Sequence, residues 1–442
     1  MLTMLLYWIR PYDFICFDGN NVKILSDDSM FSSELLKKFK YVYKKKDAEC
    51  YLKYCFSLKK ELSTNEYPFK NIPELSSYAY NPKEITEHNN EKNIFINFLN
   101  EKKLVFDIEL LENYFLSLKV KPFVIFTGNS GTGKSKLAKE FAEYLNCPYE
   151  MIAVGSNWTD NRNIVGYYNP ITDDYMKTPS YNLIKEADIS EKPSFLILDE
   201  MNLSRVEYYF SDILSSIESG KKINLNTDDV ENKNIPKYLS LSENLYIVGT
   251  VNIDETTHMF SPKVLDRANT IEFNTINPVE YLENSEEMVF KGNVDYLLNP
   301  IEGRNVRKKS PSDIKTEINH VHIENDVLLW NKLVELLNEL YIKLKESHFD
   351  FGFRVINEII RFMYVSWCYE NHPDNFTNWY RYFDAQIKQK ILPRLHGSQN
   401  DLDKTLKDLI VICDDNDFTT SKEKLGEMIK VLESQKFVSF IN

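Results

Sequence analysis

Hydrophobic and polar residues alternate in two different ways along the chain. Between residues 101 and 275, short apolar runs rich in β-branched and aromatic residues are separated by longer stretches with helical spacing. This pattern is typical of a parallel sheet whose strands are connected by crossover helices. It predicts five strands, which are Phe123–Thr127, Tyr149–Val154, Phe195–Leu198, Leu245–Val251 and Thr270–Phe273.

The pattern changes near residue 276. From there on, apolar residues recur three and four positions apart, which indicates amphipathic helices, and Val327–Lys345 is the clearest example. The long polar segment Asn224–Asn244 is predicted to form a surface loop within the middle region. We therefore expect an N-terminal region of unknown role, an α/β core and a helical region, at residues 1–100, 101–275 and 276–442.

The composition is that of an ordinary globular protein, since 43% of the 442 residues are hydrophobic and 27% are charged. No apolar run approaches the roughly 20 residues that a membrane-spanning helix needs. The N-terminus lacks the basic region and the small-residue cleavage site of a signal peptide. The six cysteines are scattered without CxxC spacing, which argues against a zinc site or a disulfide framework. These features predict a cytoplasmic protein that does not contact a membrane.

The strongest chemical signal is a segment that fits the pattern G-x-x-x-x-G-K-[ST] in full. A predicted strand leads into it and a helical stretch, Lys136–Leu145, follows it, which is the context that a phosphate-binding loop requires. In such a loop glycines let backbone N–H groups surround the phosphates, while the lysine reaches the β- and γ-phosphates and the final hydroxyl ligates Mg²⁺. The segment consists of Gly128, Asn129, Ser130, Gly131, Thr132, Gly133, Lys134 and Ser135.

Two carboxylates follow the third predicted strand, about 65 residues further along the chain. In a phosphate-loop enzyme Asp199 would help Ser135 to hold the metal, and Glu200 would orient and polarise the attacking water. A strand that merely ends in two solvated acids is the alternative. The pair predicts hydrolysis of a nucleoside triphosphate with Mg²⁺ as cofactor.

Longer stretches around these motifs resemble one branch of the AAA+ proteins. Leu198–Asp212 and Gly249–Arg267 are similar to the McrB-like motor subunits of modification-dependent (type IV) restriction systems, a branch related to dynein and MoxR. Gly166–Pro170 resembles the insert that follows the second strand in that branch. Phe351–Ile359 resembles the start of the sensor-2 helix of the lid, and Lys390–Gly397 resembles the C-terminal part of these proteins.

The resemblance implies an AAA+ P-loop NTPase core with a five-stranded parallel sheet, followed by a helical lid. It implies that Asn252 takes the sensor-1 role beside the γ-phosphate, although an asparagine that simply ends a strand is the alternative. Arg267 would be the arginine finger presented to a neighbouring subunit, with a surface salt bridge as the alternative and Arg205 as another candidate at the subunit boundary. Arg354 would contact phosphate within its own subunit.

The resemblance also implies the partners. It predicts a homo-oligomeric, hexameric ring that works with a separate nuclease subunit of the McrC type and contacts DNA within that complex in phage defence. The best-known member of the McrB-like group uses GTP and has Met-Asn-Thr-Ala-Asp at the sensor strand, where this chain has Val251–Asp254. Both ATP and GTP therefore stay open as the nucleotide.

Two other functions stay open. One is a MoxR-like ATPase that remodels proteins without nucleic acid, and the other is an assembly scaffold with negligible turnover. The net charge of -13 argues against indiscriminate nucleic-acid binding. Tyr41–Lys46 places lysines beside aromatic residues, as nucleic-acid surfaces do, but a solvated helix face explains it equally well.

Overall fold

The structure, a computed structural model, divides the chain into two compact units, residues 1–91 and 92–442. In the first unit an antiparallel pair of strands joins Phe14–Asp18 to Asn21–Leu25. The predicted segment Tyr41–Lys46 lies outside the described residues. The structure describes residues 14–18, 21–25, 94–169, 171–190, 192–225, 236–253, 258–273, 289–324 and 327–441.

The second unit is built around a five-stranded parallel sheet. In spatial order the strands are β5, β1, β4, β3 and β2. All five predicted strands are confirmed, and each boundary lies within one residue of its prediction. The strands are β1 (Phe123–Gly128), β2 (Tyr149–Ala153), β3 (Ser194–Asp199), β4 (Leu245–Asn252) and β5 (Asn269–Glu272).

Helices connect and flank these strands. Their ends carry the expected capping residues: the Asp107 side chain accepts hydrogen bonds from the backbone N–H groups of Glu109 and Leu110, at 2.7 and 3.1 Å. The helices of this part are α1 (Ile94–Glu101), α2 (Ile108–Val120), α3 (Lys134–Tyr144), α4 (Arg162–Val165), α5 (Pro179–Ile189), α6 (Val206–Tyr209), α7 (Ser211–Ser219) and α8 (Pro262–Leu265).

The C-terminal part is mainly helical, as predicted. Its helices are α9 (Val294–Leu298), α10 (Arg304–Lys308), α11 (Pro311–Ile318), α12 (Leu329–Lys345), α13 (Phe353–Tyr369), α14 (Trp379–Gln386), α15 (Gln399–Asp415) and α16 (Thr419–Gln435). A π-helical turn, Ile387–Ile391, and a 3₁₀ turn, Leu392–Arg394, follow α14.

Both faces of the sheet are buried, which explains why its strands are continuous apolar runs. Alternate side chains of β1 point to opposite faces: Val124 and Phe126 pack into one hydrophobic cluster, and Phe123 and Ile125 pack into the other. The first cluster continues into the helices from α9 to α16. The helical region therefore shares a core with the sheet instead of forming a separate one.

The structure differs from the sequence expectations in three local details. Val327–Leu328 is a short strand paired with His322–Glu324, so α12 begins only at Leu329. The polar segment after α7 is not purely a loop, because Ile223–Asn224 pairs with Tyr238–Leu239. Helix α1 lies in the second unit, which begins at residue 92 rather than at residue 101.

Several expectations from the composition can be compared with the described residues alone. Among them, no helix is long and apolar enough to cross a membrane. In that same part of the chain, no group of three or more His, Cys, Asp and Glu side chains is arranged to hold a metal ion. The cysteines described there are buried and form no disulfide; they are Cys147, Cys368 and Cys413.

Candidate functional site

The phosphate loop, Asp199, Glu200 and Asn252 meet at the carboxyl edge of the sheet, where ligands bind in open parallel sheets. Strand β1 ends in the phosphate loop, and its neighbour β4 ends in Asn252. On the other side of β4, strand β3 ends in Asp199, which is followed directly by Glu200. Three separate predictions along the chain are therefore placed side by side.

The phosphate loop needs glycine at two of its positions, Gly128 and Gly133. Gly128 has a φ of +144°, and a Cβ atom there would lie 2.6 Å from the carbonyl oxygen of Phe273, which follows β5. Gly133 has a φ of +89°, and its Cβ would lie 3.0 Å from the ring of Phe106. Glycine is thus required both by the backbone conformation and by the close approach of neighbouring residues.

Lys134 begins α3 and is 5% exposed. Its ammonium donates hydrogen bonds to the loop's own carbonyl oxygens, at 2.7 Å to Gly128 and 2.6 Å to Asn129. Asn129, Ser130 and Gly131 form the exposed side of the loop. The Thr132 hydroxyl donates to the Asn129 carbonyl at 2.9 Å and closes the turn. The ammonium is therefore held at the centre of a ring of backbone groups.

Ser135 and Asp199 form the predicted metal-binding pair. The Ser135 hydroxyl donates a hydrogen bond to Oδ1 of Asp199, so that a hydroxyl oxygen and a carboxylate oxygen are in direct contact. Mg²⁺ prefers oxygen ligands and is usually held by one or two carboxylates together with substrate phosphates. The two side chains fit such an ion, since both ligand types are present beside the phosphate loop.

Thr250 fixes the positions of both carboxylate residues, and the sequence reasoning missed it. It is buried on β4, where its hydroxyl donates to Oδ1 of Asp199 at 2.7 Å and accepts from the backbone N–H of Glu200 at 3.1 Å. The signal that could have revealed it is its spacing: Thr250 lies two residues before Asn252, so both side chains face the same side of the strand.

Glu200 is held in an unusual backbone conformation. Its φ of 55° and ψ of 49° lie in the left-handed region, which is unfavourable for a residue with a Cβ atom. The Nδ2 atom of Asn252 donates to its Oε1 at 3.1 Å, and Asn252 itself is 8% exposed. The predicted water-orienting carboxylate and the predicted sensor are therefore in direct contact.

Arg267 and Arg354 do not reach this cluster. Both guanidinium groups form ion pairs with the same carboxylate, Glu218 at the end of α7. Arg267 also donates to the carbonyl oxygen of Lys263 at 2.6 Å. The side chains of Arg267 and Arg354 are 19% and 38% exposed, so the pair lies at the surface of the unit.

This arginine pair lies at the amino edge of the sheet. Arg267 is two residues before β5. On α13, Glu358 lies one turn after Arg354. Its carboxylate pairs with Lys121, which is two residues before β1. The six residues of β1 separate this edge from the phosphate loop, a distance of about 20 Å at 3.3 Å per residue. The expectation that Arg354 contacts phosphate in its own subunit does not agree with this placement.

The other candidate at the subunit boundary, Arg205, lies elsewhere. It precedes α6 on the exposed surface, where its guanidinium stacks beside the ring of Tyr208. Asp254, which follows the sensor strand, and Pro170 in the insert lie outside the described residues. Tyr167–Asn169, within that insert, pairs antiparallel with Asp174–Met176, which lies beyond it.

Comparisons with known proteins concern the core and the helical region that follows it. Residues 123–268 match the AAA domain (dynein-related subfamily), and residues 310–437 match a domain of unknown function, DUF8727. No curated protein matches the chain. Among solved structures, the chain is similar to one named "putative ATPase" from Cytophaga hutchinsonii ATCC 33406, with 15% sequence identity and a TM-score of 0.42 over 70% of this chain and 90% of that one. That similarity is too distant to inform on function.

The match over residues 123–268 begins with β1 and includes the phosphate loop, the two carboxylates, Asn252 and Arg267. The same residues form four of the five strands of the parallel sheet and most of its flanking helices. The core is therefore an AAA+ domain, and the chain is a P-loop nucleoside triphosphatase. The predicted fold class and enzyme class are confirmed.

Proposed function

We propose that this NTPase hydrolyses its nucleotide only at the boundary between two copies of the chain arranged in a ring, most simply a hexamer. The observation that carries the proposal is the separation of about 20 Å between the phosphate loop and the Arg267–Arg354 pair. A single chain cannot bring its own arginines to its own nucleotide. Head-to-tail contacts between copies, which close into rings, would bring the amino edge of one subunit to the carboxyl edge of the next.

In this proposal the carboxyl-edge cluster binds the substrate and prepares the water. Lys134 turns from the loop carbonyls to the β- and γ-phosphates, and Ser135 and Asp199 hold Mg²⁺, which when bound neutralises charge on those phosphates. Glu200 orients the attacking water and accepts its proton. Asn252 keeps the Glu200 carboxylate aimed at the γ-phosphate, because its amide already donates to Oε1.

The neighbouring subunit completes the site. Arg267 and Arg354 would leave Glu218 and place two guanidinium groups against the γ-phosphate, where negative charge spreads over three oxygens in the transition state. This gives Arg354 a role in the neighbour's site rather than in its own. A surface salt bridge was the alternative interpretation of Arg267. In this proposal that salt bridge, with Glu218, exists before the subunits assemble, and Arg267 exchanges Glu218 for phosphate.

We further propose that the ring is the motor subunit of a McrBC-like restriction system in phage defence. Support comes from the resemblance of Leu198–Asp212 and Gly249–Arg267 to McrB-like proteins and from the agreement of the core with the dynein-related AAA subfamily. Its partners would be a McrC-like nuclease and DNA, and its nucleotide ATP or GTP. A MoxR-like ATPase that remodels proteins is the alternative, since the resemblance is to a branch related to MoxR.

The first experiment measures phosphate release by the full chain with ATP and with GTP, each with and without double-stranded DNA. Lys134→Ala should abolish turnover by removing phosphate binding. Glu200→Gln should lower kcat by about 10²-fold or more while nucleotide still binds. Glu186→Gln, an exposed carboxylate on α5, is the matched control and should behave as wild type.

Mass measurement with and without nucleotide tests the ring. Turnover that is lost in Lys134→Ala and Glu200→Gln, together with a nucleotide-dependent hexamer, would support the proposal. Stimulation by DNA favours the restriction motor, whereas turnover that is indifferent to DNA favours the protein remodeller. Full turnover by a chain that remains monomeric would contradict the shared site.

A further inference from the structure

We infer that a buried cluster of Lys121, Glu358 and Lys390 is the positioning device for Arg267, fixing the turn that presents this arginine to the neighbouring subunit. The inference rests on the proposed function, since it assigns a task to side chains that lie far from the chain's own nucleotide site. The three residues are called the amino-edge cluster below.

The amino-edge cluster joins three separate segments of the chain. Lys121 follows α2, Glu358 lies on α13, and Lys390 lies in the π-helical turn after α14. The Glu358 carboxylate forms one ion pair with Lys121 through Oε1 and a second with Lys390 through Oε2, the latter at 2.5 Å. The three residues are 7%, 5% and 3% exposed in chain order, so water contributes little to their solvation.

Both lysines also hold the backbone on either side of Arg267. The Lys121 ammonium donates to the carbonyl oxygen of Asp266 at 3.0 Å, and the Lys390 ammonium donates to the carbonyl oxygen of Ala268 at 2.7 Å. The carbonyl groups of the residues before and after Arg267 are thus tied to a single carboxylate through two ammonium groups. This arrangement fixes the direction in which the Arg267 side chain leaves the backbone.

Stability alone gives little reason for this arrangement. Burial lowers the pKa of Lys121 to about 7. Although burial by itself would raise it, the pKa of Glu358 is held below its ordinary range by Lys121 and Lys390. Two buried lysines share one carboxylate, and replacing such groups by apolar side chains of similar size is often neutral or stabilising. What the charges provide, and apolar groups cannot, is directed bonds to two chosen carbonyl oxygens.

The cluster also connects the two arginines mechanically. Glu358 lies four residues after Arg354, on the same helix, so one turn of α13 carries both the second arginine and the anchor of the first. A shift of α13 would move Arg354 directly and Arg267 through Glu358 and Lys390. The helical region would therefore adjust both arginines together when the neighbouring subunit binds nucleotide.

The test uses the full chain with Glu358→Gln, which keeps the shape of the side chain and removes its charge. We expect kcat to fall by about 10²-fold, the effect of a displacement of about 1 Å in a reacting assembly. The affinity for nucleotide, measured by titration, should stay close to that of wild type because the chain's own phosphate loop is untouched. Glu317→Gln is the matched control, since Glu317 pairs with Lys309 elsewhere in the helical region and should leave kcat unchanged.

Glu358→Gln leaves two buried lysines with reduced compensation and could fail to fold. The second variant therefore replaces the whole cluster, Lys121→Met with Glu358→Leu and Lys390→Met, which removes all three charges at similar volume. This variant should fold and bind nucleotide as wild type does, and still lose kcat. Wild-type kcat in either folded variant would overturn the inference.

Mixed rings separate a displaced arginine from general damage. A Glu358→Gln subunit has an intact catalytic site, and a Glu200→Gln subunit has an intact arginine pair, so mixing two inactive proteins should restore hydrolysis. With random assembly from equal amounts, about a quarter of the interfaces in a head-to-tail ring combine the two intact halves. Restored turnover near this level is the expected result.

Arg267→Ala mixed with Glu200→Gln is the reference. If that mixture also stays inactive, the shared site itself is refuted, and the proposed function falls with it. If it recovers turnover while the mixture containing Glu358→Gln does not, the shared site stands and the positioning role of the cluster is refuted.

Discussion

Thr250 provides a direct test of how Asp199 and Glu200, the carboxylates of the proposed site, are held. One hydroxyl group donates to Asp199 at 2.7 Å and accepts the backbone N–H of Glu200 at 3.1 Å, inside the sheet. Glu200 at this point has a left-handed backbone conformation, which costs about 1–2 kcal/mol for an ordinary residue. Thr250→Val keeps the β-branched shape and removes both hydrogen bonds, so the strained conformation of Glu200 loses its nearest support.

The size of the effect follows from these contacts. A buried N–H group left without a partner costs about 1–3 kcal/mol, and a hydrogen bond to a charged group contributes about 1.5–3 kcal/mol. One tenfold change in rate corresponds to about 1.4 kcal/mol. In Thr250→Val the Glu200 N–H loses its hydrogen-bond acceptor, and the Glu200 backbone and carboxylate shift in response. This shift should lower kcat by about 10- to 100-fold. Nucleotide affinity should change far less, because Lys134 and the loop are not altered.

The assay is steady-state phosphate release at saturating nucleotide, with thermal unfolding measured for every variant. Thr250→Ser keeps the hydroxyl and should retain most of the activity. Thr270→Val on β5 is the matched control: its hydroxyl is equally buried and has no hydrogen-bond partner within the described residues, so its removal should be neutral or stabilising. Activity of Thr250→Val within twofold of wild type would refute the reasoning, as would an equal loss in Thr270→Val.

Two further predictions concern other parts of the second unit. Gly128→Ala should abolish nucleotide binding and lower stability by about 3 kcal/mol or more, because its Cβ would lie 2.6 Å from the Phe273 carbonyl oxygen. Gly131→Ala is the control: its Cβ would have nothing within 4 Å, so the variant should lose only about 1–2 kcal/mol of stability. Equal losses of stability in calorimetry would contradict this account. Burial lowers the pKa of Lys119 to about 7 from 10.5. Between these two pH values the folded state binds fewer protons than the unfolded state. The free energy of unfolding should therefore rise with pH, by up to about 1.4 kcal/mol per pH unit. Lys119→Met should reduce that rise, measured by denaturant titration between pH 7.5 and 8.5, and an unchanged slope would rule Lys119 out as its source.

The sheet and the carboxyl-edge cluster could be predicted because their signals are local. Each strand of a doubly covered parallel sheet is a continuous apolar run, and the residue that follows it lies at the carboxyl edge by geometry alone. That rule brings Ser135, Asp199, Glu200 and Asn252 together without knowledge of any tertiary contact. Thr250 could have been predicted in the same way, because it lies two positions before Asn252 and such side chains share a face of the strand.

Arg354 could not be placed in this way. A helix that packs beside a sheet can direct its first turn towards either edge, and periodicity does not distinguish the two. The choice is made by contacts far apart in sequence, between Glu358 and Lys121 and between Lys390 and the Ala268 carbonyl oxygen. These are charged residues in apolar surroundings, which a pattern of hydrophobic and polar positions assigns to the surface. The sequence pattern therefore fails at the residues that connect the helical region to the core.

Strand β1 connects the two edges of the sheet. Lys121, two residues before the strand, holds the carbonyl oxygen next to Arg267, while Gly128 at its other end begins the phosphate loop. A single buried strand thus joins the surface that would receive a neighbour's nucleotide to the loop that binds the chain's own. Close-packed interiors transmit displacement instead of absorbing it. In the proposed ring, a change at one site would therefore reach the other through β1 and α13.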